Sequence, residues 1–126
     1  MIELRDDCHY IGFWFVPGPS PAHAQRTGVA VMDHLACLWR DPDGVYHVQH
    51  RFHYHDAGHW GPAGTRRWYH QSGCTDGVLA QVGPSMVAQL AADRNGTEAQ
   101  VLSVDGDAGA VRAAIAGQPW ASEVCG

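Results

Sequence analysis

The four residues Asp41-Pro42-Asp43-Gly44 constrain this chain more than any other stretch of it. Proline presets the φ angle that the first central position of a type I turn needs, and glycine accepts the positive φ with which the chain re-enters a strand. The turn sits between two apolar, partly alternating runs, Leu35 to Arg40 before it and Val45 to His55 after it, so a β-hairpin is expected. Successive side chains on a strand point to opposite sides. Tyr46, Val48, His50, Phe52 and Tyr54 therefore share one face, while Val45, His47, Gln49, Arg51, His53 and His55 share the other. The aromatic face is expected to be buried and the histidine-rich face to meet water.

The remaining elements attach to this hairpin. Ile11 to Val16 is aromatic and β-branched and ends at Pro17-Gly-Pro-Ser-Pro21, which fits neither a helix interior nor a central strand. Upstream of the turn, Val29, Val31, Leu35, Cys37 and Trp39 fall on one alternating face, interrupted by Asp33. After the hairpin, Asp56 to Gly64 reads as a turn-rich loop and Thr65 to His70 as a third strand, which makes a meander. In the last third, Gly83-Pro84-Ser85 opens a helix carrying Met86, Val87, Leu90 and Ala91, closed by Asn95-Gly96. Ala99 to Asp105 is β-like, and Asp107 caps a second helix with Val111, Ala114 and Ile115 inward and Gly117-Gln-Pro119 at its end. The fold class expected is α+β. It has an antiparallel meander or hairpin sheet in the N-terminal two thirds and two short helices flanking one further strand in the C-terminal third. At 126 residues, the expectation is a single domain spanning 1–126.

Composition narrows the class of function. No apolar run approaches the roughly 20 residues of a membrane span, and Met1 to Val16 lacks the order of a signal peptide, so a cytoplasmic protein is expected. Cys8, Cys37, Cys74 and Cys125 form no CxxC pair, and free thiols are expected. The formal net charge is -5 and all eight basic residues are Arg, which argues against a general nucleic-acid binder. Nine histidines make that charge sensitive to mild acid.

Five of those nine lie between positions 47 and 59. His47, His53 and His55 share a strand face, and a loop could fold His59 back to meet them. Three imidazoles and an open position are the arrangement of catalytic zinc, although no HExxH or deaminase signature accompanies them, and Asp56 is the only carboxylate near in sequence. The favoured account is a solvated strand face in a chain that lacks Lys. His50, on the other face, reads as a core or interface residue. His70, Cys74 and Asp76 are the residue types of a cysteine nucleophile but read equally as a turn, and Asp105-Gly-Asp107 fits a helix cap better than a calcium loop. Arg66-Arg67-Trp68-Tyr69, with Arg51 on a neighbouring strand and Trp60 in the preceding loop, joins cations to the aromatics that enrich binding surfaces.

Val48-Gln-His-Arg51-Phe52-His-Tyr54-His, followed after a Trp-containing loop by Arg67-Trp68-Tyr69, resembles a pattern in small uncharacterised accessory proteins of bacteriophages and mobile elements. The likeness spans Trp39 to His70 and departs from the pattern at His53 and His55, where Arg or Tyr is expected. It implies a protein that acts by contact with a partner, such as an inhibitor of a host defence enzyme, and it carries over no catalytic residue. The leading expectation is thus a non-enzymatic protein without a cofactor, binding a protein partner through Arg51, Trp60, Arg66, Arg67 and Tyr69. An exposed edge strand would allow a homodimer. The alternative is a zinc or iron protein, or small metalloenzyme, using His47, His53, His55 and His59.

Overall fold

A computed structural model describes residues 1–18, 32–55, 58–61, 64–68 and 97–125. Among the described residues, eight strands, β1 (Ile2–Glu3), β2 (His9–Val16), β3 (Met32–Arg40), β4 (Tyr46–Tyr54), β5 (His59–Trp60), β6 (Gly64–Trp68), β7 (Gln100–Gly106) and β8 (Val124–Cys125), accompany one helix, α1 (Ala108–Ile115), and a 3-10 turn, Ala121–Glu123. The sheet-rich α+β class is as expected, with β7 and α1 where the further strand and second helix were placed. The first expected helix, at Met86 to Ala91, lies outside the described residues.

The hairpin forms around the expected turn. Gly44 takes φ 81°, its N–H donates to the Asp41 carbonyl, and the Asp41 N–H donates to the Val45 carbonyl. From Arg40 opposite Tyr46, β3 and β4 pair antiparallel without a slip as far as Met32 opposite Tyr54. In the main sheet the order is β5-β4-β3-β2-β7, with β6 also on β4, and every pairing is antiparallel. The segment expected as a plain loop holds a short strand: β5 pairs His53 with Trp60 and Tyr54 with His59, and β6 continues along the same edge of β4 from His50 opposite Gly64. The register on β4 differs by one between the two, Trp60 standing opposite His53 and Gly64 opposite His50.

Both faces of the sheet are packed. On one, Phe13, Leu35 and Cys37 meet Val111 and Ile115 of α1, with Ile2, Tyr10 and Trp120. Phe13 stacks on Trp120 at 5.2 Å between ring centroids. On the other, Trp14, Val16, Ala36, Leu38, Tyr46 and Val48 are wholly or almost wholly buried. This explains the near-continuous apolar run of β2, since a strand covered on both sides has no polar face to show. Each such side chain contributes about 1.5–3 kcal/mol of transfer free energy. A bulge between Tyr10 and Gly12 puts Tyr10 on the same face as Phe13. Gly12 sits where a β-carbon would come within 2.7 Å of the Leu102 carbonyl oxygen, so β2 and β7 approach there as only glycine permits.

Helix α1 starts as expected: the Asp107 carboxylate accepts the Ala110 N–H at 3.0 Å, occupying a donor that the first turn leaves open. The parallel pair β1 and β8 ties the two ends of the chain together, Ile2 opposite Val124. Among the described residues no helix is long and apolar enough to cross a membrane.

The histidine-rich face of β4 is not the solvated face expected. It is the helix-bearing face of the sheet, continuous through the register with Leu35, Cys37 and Trp39 of β3. Alternation showed which residues share a side. It did not show that α1 and the C-terminal segment pack over that side and half-bury its polar groups.

Candidate metal centre

Two carboxylates on this face gather the histidines into separate groups. Near the turn, His47 Nε2 lies 2.8 Å from Asp41 Oδ2, and both side chains are mostly buried. The His47 ring stacks on Trp39 at 5.3 Å and 8°. Asp41 Oδ1 meanwhile accepts the N–H groups of Asp43 and Val45. These donors hold the Asp41 carboxyl below its ordinary value of 3.8, the His47 hydrogen bond first and the Val45 N–H next. A carboxyl whose pKa is lower folded than unfolded stabilises the fold above the unfolded value, and that stabilisation is lost as pH falls through the folded value. The stability gap between the protein and an Asp41→Asn variant is therefore expected to be fully open above the ordinary carboxylate value of 3.8 and to narrow as pH falls below it, as read from urea midpoints.

At the far end of the hairpin, Asp33 of β3 stands directly opposite His53 of β4. His53 Nδ1 is 3.3 Å from Asp33 Oδ2, and His55 Nε2 is 2.9 Å from Asp33 Oδ1. The Gly18 N–H also donates to Oδ1, at 2.7 Å, so the carboxylate is fixed by backbone as well as by imidazole. One ligand atom from each of Asp33, His53 and His55 fits within a 4.8 Å span. Tetrahedral zinc with bonds near 2.0–2.1 Å separates its ligand atoms by about 3.3 Å. The three side chains thus need close by only about 1.5 Å or less to reach coordination distance. Each imidazole becomes a ligand when the N–H now facing Asp33 gives way to a bare nitrogen, the ring proton being carried on the other nitrogen so that a lone pair faces the ion. Asp33 is 17% exposed, and His55 is 43% exposed. Trp60 lies beside His53, 5.2 Å between centroids, and packs against the core.

The four histidines considered as ligands from the sequence are thus divided. His53 and His55 come together. His47 is six positions along β4, about 20 Å at strand rise, and is engaged by Asp41. His59 is paired across from Tyr54 and so belongs to the opposite face. Along the sequence Asp33 reads only as an interruption in an apolar run. Counting outward from the turn, Arg40 opposite Tyr46, leads to Asp33 opposite His53, and that count was the available signal.

The other candidates fall as follows. Arg51 donates from Nε and Nη2 to Glu123 Oε2 at 3.2 and 3.0 Å, with only 12% and 14% of the two side chains exposed. It holds the C-terminal turn to the sheet. Trp60 is half-buried against the core. Arg66 and Arg67 lie on β6, in register with Val48 and His47, while Tyr69, His70, Cys74 and Asp76 lie outside the described residues. His50 belongs to the apolar face, as read: its Nδ1 is 2.8 Å from Nε2 of the buried His34, and Phe52 stacks on His34 at 4.7 Å. Cys8 and Cys37 are buried free thiols. Burial, then Asp7, pushes Cys8 up to about 11, and burial alone pushes Cys37 well above 9.0, so both stay protonated and pack rather than react.

No family model matches this sequence, and comparison with curated proteins and with solved structures yields no significant match.

Proposed function

We propose that the protein binds a divalent first-row transition-metal ion through Asp33, His53 and His55. The observation that carries this reading is the engagement of both oxygens of one carboxylate, itself pinned by a backbone N–H, by two imidazoles on the neighbouring strand. Two imidazoles and one carboxylate suit zinc, iron or manganese better than calcium or magnesium, which prefer oxygen alone. The partner-binding reading has less support, because Arg51 and Trp60, two of its five residues, are engaged inside the fold.

Equilibrium dialysis of untagged, chelator-treated protein against zinc is expected to give one ion per chain. His53→Ala and His55→Ala should each weaken that binding by on the order of 100-fold, whereas His47→Ala and His59→Ala should leave it unchanged. Equal binding by all four variants would place the ion elsewhere or show that none is specifically held.

A further inference from the structure

We infer that the ion held by Asp33, His53 and His55 keeps open coordination positions on its outer side and takes up a small anion there, a carboxylate or an inorganic anion. The inference rests on the metal reading just given. Its geometric basis is that all three ligands arise from one face of two adjacent strands. His53 and His55 are two apart on one side of β4 and its end, and Asp33 is the cross-strand partner of His53. Three donors that approach from the same side span one triangular face of a coordination polyhedron and leave the opposite side open. First-row divalent ions take four to six ligands, and among the described residues no fourth His, Cys, Asp or Glu joins the group.

Access and charge point the same way. His55 keeps 43% of its side chain exposed, so the site opens to solvent on that side. Trp60 stands against His53 and is half-buried, which gives the site one apolar flank. One carboxylate against a doubly charged ion leaves a net charge of +1 at the centre. In a site partly shielded from water, that excess charge favours an anionic ligand over a neutral one. A site closed for a purely structural ion would instead complete its coordination from the chain itself.

Cobalt(II) tests this, because its visible absorption responds to the number and kind of its ligands. Wild-type protein loaded with one equivalent of cobalt and freed of excess is titrated with azide, and with perchlorate at equal ionic strength as a weakly coordinating control. The expected result is a saturable shift of the cobalt bands with azide and none with perchlorate, the metal remaining on the protein by elemental analysis. Bands that do not move with azide while cobalt stays bound one to one would overturn the inference and leave the metal site standing. The same shift with both salts would also overturn it, as an ionic-strength effect. Failure to bind cobalt at all would overturn the inference together with the reading it rests on.

Discussion

Asp33→Asn is expected to lower zinc affinity by on the order of 100-fold or more while leaving the metal-free fold nearly as stable as before. Structural zinc sites with four ligands contribute about 10–16 kcal/mol, so one charged ligand of three accounts for several kcal/mol, and each 1.4 kcal/mol is about tenfold in affinity. The amide keeps an oxygen that can accept the Gly18 N–H now bonded to Asp33 Oδ1. It loses the negative charge that offsets the ion. Asp33→Ala should lose metal affinity equally and also some stability, since the Gly18 N–H and both imidazoles then lose their shared acceptor. Calorimetric titration of the two variants, beside thermal melts of the metal-free proteins, separates the two roles. An Asn variant that binds zinc like the wild type would remove Asp33 from the ligand set.

The second large effect concerns Arg51, which belongs to the fold rather than to a binding surface. Glu123→Ala leaves a guanidinium that is only 12% exposed without its counter-charge, and the loss of stability is expected to be about 2–4 kcal/mol. The lower part of that range reflects the small access to water that both groups retain. Replacing both partners with apolar residues, Arg51→Met with Glu123→Leu, should recover most of the loss, because no buried charge then stands alone. Urea unfolding of Arg51→Met, Glu123→Leu and the double variant forms the cycle that isolates the pair. A loss below about 0.5 kcal/mol would be that of a surface ion pair and would return Arg51 to the candidates for partner contact.

How much of this was legible depends on the distance in sequence over which each contact forms. The hairpin was readable because its information is local: Asp41 to Gly44 set the turn, and alternation set the two faces of β4. Helix α1 was readable from its Asp107 cap and its inward stripe of Val111 and Ile115, for the same reason. The partner of Arg51 was not, because Glu123 lies 72 residues away and reaches β4 only through the fold of the C-terminal segment. Likewise nothing local announces that β7 returns to pair with β2, or that β1 and β8 join the chain ends.

The candidate site was half legible. His53 and His55 stood out by count and shared a face by alternation. His59 was expected to join them, but the outer strand begins at His59 itself, and its pairing with Tyr54 sets it on the other side of the pleat. Asp33 is not visible from proximity along the chain, where Asp56 is the carboxylate nearest to the histidines, but only across the ladder that the turn determines. A lone acidic residue in an otherwise apolar strand, opposite a histidine once the register is counted, is a signal that outlasts the count of histidines.

In the proposed function, Asp33, His53 and His55 form one metal site to which the other described histidines do not contribute. Its most direct test is a long-range proton–nitrogen correlation spectrum of the imidazole rings, recorded without metal and with one equivalent of zinc. The ring nitrogens of His53 and His55 are expected to shift into the range of metal-bound imidazole, while those of His9, His34, His47, His50 and His59 keep their positions. Shifts at His47 or His59 with His53 and His55 unmoved, or no shift at any ring, would contradict it.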